Sequence, residues 1–211
     1  DRIAWGKGIN SGQTCVAPDY LLVQENVAQK LTELIKEAWT RYYGEDALDS
    51  PIWPHMISDK HFKRVMGLIT NRNADSKILC GGEGDETTLK IEPTMLSNIT
   101  LKDPVMGEEI FGPVLPVITF KTLDEAFGIV RSFPDPLACY IFSESKRVQQ
   151  RVIDELQFGG MSINDVCVHL SNPNMGFGGV GNSGMGAYHG KVGFDTFTHY
   201  KSTMNHSTKM D

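Results

Sequence analysis

Between Glu25 and Tyr43 apolar residues recur at helical spacing, with Val27, Leu31, Leu34, Ile35, Ala38 and Tyr42 on one face. The spacing predicts a helix over 25–43, stopped by Gly44. Just before it, DYLLVQ has strand composition. Pro51 and Pro54 then break the chain, and Ser58 is placed to cap a second helix carrying Phe62, Val65, Met66 and Ile69. SKILCGG reads as a short strand ended by glycines, and PTMLSNI and VLPVITF as two further strands. Thr122 and Glu125 form the T-x-x-E of a capping box, so a helix should begin near Leu123 and end before Pro134. LACYIF is an unbroken apolar run, the type expected of a strand buried on both faces. Val148, Val152 and Leu156 mark another helix, closed by Gly159, and GMSIND supplies the next strand.

Strands alternating with amphipathic helices predict an α/β fold with a mainly parallel open sheet flanked by helices. The polar end, THYKSTMNHSTKMD, is expected to open with a C-terminal edge strand.

Composition narrows the classes. A chain of 211 residues that is 40% hydrophobic can bury one sizeable core. A net charge of −6 argues against nucleic acid as a partner, which would require clustered Lys and Arg. No apolar run approaches the ~18 residues of a membrane span, and the first ten residues lack the apolar stretch of a signal peptide. Cys15, Cys80, Cys139 and Cys167 show neither CxxC spacing nor a zinc pattern, so no metal site is expected. Reduced cysteines in a cytoplasmic protein fit this usage best.

One glycine motif misleads. Gly179, Gly181 and Gly184 spell the G-x-G-x-x-G dinucleotide fingerprint. That fingerprint needs a core strand before it and a helix directly after it. HLSNPNM is no core strand, and the glycines of MGAYHGKVG disfavour a helix. A tight loop that can line a site is the expected structure.

The cysteines divide. Cys80, Cys139 and Cys167 sit in apolar runs and read as small core residues. Cys15 follows NSGQT, a poor helix former, and precedes a strand. A thiol at such a junction can face a cleft at the sheet edge, where ligands collect in open α/β sheets.

GQTCVAPDY closely resembles the catalytic-cysteine segment of the aldehyde dehydrogenase superfamily, in its class 3 branch. EEIFGPVLPV, residues 108–117, resembles that superfamily's E-x-F-G-P segment, and GFGGVGNSGMGAYHGKVGFDTFTH its P-F-G-G-x-x-x-S-G-x-G segment. PTML and GGMSIND also fit, in the same order. The resemblance implies that Cys15 is the nucleophile, attacking an aldehyde to give a thiohemiacetal and then a thioester. It implies that Glu109 holds the nicotinamide ribose, that Phe111 packs beside the nicotinamide of NAD or NADP, and that Phe177 lines the substrate funnel. Asn10 and Asn164 are suited to orienting backbone near the site, and His169 and His189 to lying beside it without a catalytic part. Gly176 stands where the family usually has proline, which frees the backbone ahead of Phe177.

The resemblance assigns residues 1–196 to a catalytic domain and 197–211 to a strand or tail that takes part in oligomerisation, with a homodimer implied. It places the general-base glutamate, the oxyanion-hole asparagine and the NAD-binding domain further upstream than the 14 residues ahead of Cys15. The 211 residues are thus expected to be the catalytic half of a protein roughly twice as long, inactive alone as a dehydrogenase. Two other classes stay open: a cofactor-independent cysteine esterase or acyl-transfer protein, and a non-catalytic truncated family member.

Overall fold

A computed structural model describes residues 1–209. The chain opens with helix α1 (Arg2–Gly8), then a 3-10 turn at Ile9–Gly12 and strand β1 (Leu21–Gln24). Helix α2 (Glu25–Tyr43) has the predicted bounds. Its inward face is shifted by one position from the expected one: Ile35, Ala38 and Trp39 are buried, whereas Val27 and Leu34 are exposed. The indole of Trp39 donates to the Ala4 carbonyl at 3.0 Å, which docks α2 on α1. Helix α3 (Asp59–Thr70) is capped by Ser58, whose hydroxyl accepts from the His61 N–H, and buries Phe62, Val65, Leu68 and Ile69.

Strand β2 (Lys77–Cys80) is followed by a small hairpin of β3 (Gly84–Asp85) and β4 (Lys90–Ile91), then by β5 (Thr94–Ser97) and β6 (Val114–Phe120). The main sheet has the order β1-β6-β5-β2. The β1–β6 and β6–β5 pairs are parallel, and β2 runs antiparallel along β5. Its two central strands are almost wholly buried, as continuous apolar runs demand. Helix α4 (Leu123–Arg131) starts where the capping box predicts, with Thr122 Oγ1 accepting from the Glu125 N–H.

A second, two-stranded sheet pairs β7 (Ala138–Ile141) in parallel with β8 (Gly160–Ile163) across helix α5 (Lys146–Glu155). The sheet is therefore mainly parallel as expected, but divided. The division corrects the reading of LACYIF, because all four β7 residues are only half-buried. Ala138 and Tyr140 of β7 pack on the core cluster from its margin and are only partly buried there.

Two further expectations fail near the C-terminus. Helix α6 (Gly190–Thr196) forms despite its glycines, supported by a Lys191–Asp195 ion pair one turn apart. No edge strand follows it in 197–209. The residues just past α6 bond its last turn instead: Thr198 Oγ1 donates to the Phe194 carbonyl at 2.6 Å, and the Tyr200 hydroxyl bonds the Asp195 carboxylate. Met210 and Asp211, the end of the expected tail, lie outside the described residues. Among the described residues no helix is long and apolar enough to cross a membrane.

Candidate active site

Three consecutive residues ahead of Cys15 turn the chain left-handed: Asn10, Ser11 and Gly12 have φ of 48°, 54° and 71°. L-residues resist this conformation, so other contacts must hold it. The Asn10 amide donates to the Gln13 carbonyl, and Gln13 Nε2 donates back to the Asn10 carbonyl, both at 3.0 Å. Gln13 also reaches across the fold, donating to the His55 carbonyl at 3.1 Å and accepting from the Ile57 N–H at 2.9 Å. Gly12 has no alternative residue type, since a Cβ there would overlap the Gly112 carbonyl.

Cys15 follows on a turn closed by the Ala17 N–H donating to the Thr14 carbonyl at 2.9 Å. Its thiol is free and exposed. Among the described residues its amide N–H meets no protein acceptor. An exposed sulfur beside a free N–H can both attack a carbonyl and hold the resulting oxyanion.

The segment 108–112 is pinned against this turn from two sides. The Asp19 carboxylate accepts from the Ile110 N–H at 3.0 Å. From α3, Arg64 pairs with the Glu108 carboxylate at 3.0 Å and donates to the carbonyls of Glu109 and Ile110. The two adjacent glutamates thus separate in role: Glu108 is committed to Arg64, while Glu109 keeps an exposed carboxylate. Partial burial, reinforced by Asp19, raises the Glu109 pKa, and Lys7 and Arg64 oppose that rise. Phe111 is exposed and strained, at φ 46°. A free carboxylate next to an outward aromatic ring suits a ribose diol and a nicotinamide face, so these residues fit that cofactor.

Phe177 is paired through its backbone with Tyr188 and packs on the core cluster that contains Val16. Its ring lies 5.9 Å from that of His169, which lies 5.9 Å from Tyr140. His169 is buried, which lowers its pKa, and among the described residues its Nε2 has no partner. Gly176 has no left-handed φ, so its lack of a side chain answers no backbone demand. Asn164 does orient backbone, but between β7 and β8, where its Oδ1 accepts from the Ser143 N–H at 2.8 Å. The glycine fingerprint is a loop with a 3-10 turn at Gly181–Ser183, as expected.

A family model described as "Aldehyde dehydrogenase family" matches residues 1–203. The chain belongs to the aldehyde dehydrogenase family. It is 47% identical over 211 residues to the 4,4'-diaponeurosporen-aldehyde dehydrogenase of Staphylococcus aureus, covering all of this chain and 46% of that protein. It is also 47% identical to the dimeric NADP-preferring aldehyde dehydrogenase of Rattus norvegicus, over 96% of this chain and 44% of that one. A solved structure described as the substrate-bound state of Staphylococcus aureus AldH superposes with a TM-score of 0.90 at 46% identity, covering 98% of this chain and 46% of that one. The chain thus spans about half the length of these aldehyde dehydrogenases.

Sequence reasoning missed two residues of this candidate site. Lys7 is 1% exposed, and burial lowers its pKa to about 8, against the attraction of Asp19 and Glu109. Arg64 organises segment 108–110 from another element. A lysine inside WGKG was a signal, because the amphipathic face of α1 turns it inward. Nothing local to Arg64 announces its partners, which lie 44 to 46 positions away.

Proposed function

We propose that the protein containing this chain is an NAD(P)-dependent aldehyde dehydrogenase that oxidises aldehydes to carboxylic acids, and that these residues form its catalytic domain. The observation that carries this reading is the exposed Cys15 thiol beside its uncommitted amide N–H. In the proposed reaction the Cys15 thiolate adds to the aldehyde carbon, and the Cys15 N–H holds the oxygen that becomes negative. The nicotinamide cofactor, when bound, supplies the hydride acceptor. Glu109 would accept hydrogen bonds from its ribose hydroxyls, and Phe111 would flank its ring. Loss of hydride leaves an acyl group on Cys15 as a thioester. Water adds to that carbonyl, the C–S bond breaks, and the acid leaves with the thiolate restored. Phe177 would present an apolar wall to the aldehyde chain.

The assembly we propose is a homodimer, in keeping with the printed name of the rat relative. A reducing compartment suits four unpaired cysteines. The 211 residues alone are proposed to turn over no aldehyde, since only Glu109 and Phe111 among them are assigned to the cofactor.

The test is reduced-cofactor formation by the full natural protein with a medium-chain aldehyde and NAD or NADP. Cys15→Ala should lower turnover by at least about 10⁴-fold, the scale seen when a nucleophile is deleted. Retained turnover in that variant sinks the reading. Turnover by the 211 residues alone would overturn only the statement about the isolated chain.

A further inference from the structure

Val16 follows the proposed nucleophile directly and is 1% exposed. A buried carbonyl must find donors. The Val16 carbonyl has two, one on the second sheet and one just past it. The Tyr140 hydroxyl, on β7, donates to it at 2.7 Å across 124 positions of sequence. The Cys167 thiol, just past β8, donates to it at 3.4 Å across 151 positions. Cys167 holds this place with φ 63°, a conformation that a non-glycine residue adopts only under constraint.

These bonds complete a frame around Cys15. Upstream, Gln13 is tied to His55 and Ile57. Downstream, the Val16 carbonyl is tied to β7 and to the turn after β8. Between the two anchors the only other tie among the described residues is the Thr14–Ala17 turn bond. Rotation of the Val16–Ala17 peptide would swing the turn that aims both the Cys15 sulfur and the Cys15 N–H. The short phenolic bond is the stronger restraint, because a thiol is a weak donor. Burial of the Tyr140 ring, beside Cys167 and Cys15, raises its phenol pKa and keeps the donor proton in place.

We infer that Tyr140 is a positioning residue for Cys15, acting through the Val16 carbonyl, with Cys167 as a second, weaker donor to the same oxygen. The inference rests on the reading of Cys15 as nucleophile. Tyr140 touches no reacting atom in this scheme. Its part is to fix the sulfur and the oxyanion donor in one relative orientation. A displacement of about 1 Å at an attacking atom can lower rate about 10²-fold.

The experiment is Tyr140→Phe in the full natural protein, which keeps the ring and deletes the donor. Active sites are counted by mass-resolved alkylation of Cys15, and kcat/KM for aldehyde is expressed per counted site. The expected result is a fall of about tenfold or more, with the KM for cofactor within about twofold of the parent. An unchanged kcat/KM per site overturns the inference, and so does a loss that merely tracks the number of sites. A purely structural tyrosine would give one of those two results. If Tyr140→Phe does not fold, Cys167→Ala carries the same test, with a smaller fall expected and an unchanged value per site overturning it. Cys15→Ala run alongside separates the two readings. Turnover in Cys15→Ala removes the nucleophile itself, whereas a dead Cys15→Ala with a fully active Tyr140→Phe removes only the positioning.

Discussion

Lys7 has a chemistry that its place in the sequence does not suggest. Burial brings its folded pKa to about 8, from 10.5 in an open chain. Between those values the unfolded chain holds more protons than the folded one, so this group makes stability rise with pH across that window. The half-buried thiols Cys80 and Cys139 act the other way. Burial pushes each from 9.0 to about 11, so the fold holds their protons longer and loses stability as pH climbs through that range. The net profile therefore mixes opposed slopes, and a difference measurement isolates the lysine. Lys7→Met should gain on the parent at pH 7, and that advantage should shrink by about 3 kcal/mol on reaching the ordinary lysine range. Urea denaturation of both proteins across the series tests it. Parallel profiles would mean that Lys7 is not desolvated.

Segments rather than single side chains set the geometry around Cys15. The left-handed run at 10–12 meets the EEIFGPV segment where Gly12 lies against the Gly112 carbonyl. Gly186 offers a control, having φ 75° and open space where a Cβ would stand. Gly186→Ala should lose only the conformational term, about 1–2 kcal/mol. Gly12→Ala adds an overlap with fixed backbone and should lose more than about 3 kcal/mol. Thermal unfolding of the two variants decides. Equal losses would show that the two segments do not press together.

The same segments explain what could be read from the chain. Elements with a local signal were legible: the caps at Ser58 and Thr122, the bounds of α2, and the strand runs of the main sheet. The placing of Cys15 at an exposed junction was legible too, from its poor helix-forming neighbours. The inward face of α2 slipped because Trp39, which periodicity left out, finds a carbonyl on α1 to bond. Helix α6 was hidden because its two glycines disfavour a helix and none of its residues is buried, so no apolar face marks it in the sequence. The expected edge strand was lost to side chains that bond back to α6. Arg64 and Tyr140 could not be read at all, since their partners are set by tertiary distance.

Taken whole, the molecule has a seam. No ladder bonds join β7 and β8 to the four-stranded sheet. One apolar cluster crosses between them, from Met95, Leu115 and Val117 to Val166 and Cys167. The strands on either side differ in cover: β5 and β6 are nearly all buried, while β7 is half-exposed throughout. Regions so unequally covered open at different free energies. Amide exchange should therefore be faster in β7 and β8 than in β5 and β6, which peptide-level deuterium uptake will show. Uniform uptake would mean a single cooperative unit. Two of the bonds that span the seam end on the Val16 carbonyl, so parting it there releases the turn that carries the thiol. On a temperature ramp the full natural protein, on the proposed reading, should lose turnover before it melts, and brief cooling from that interval should restore it in full.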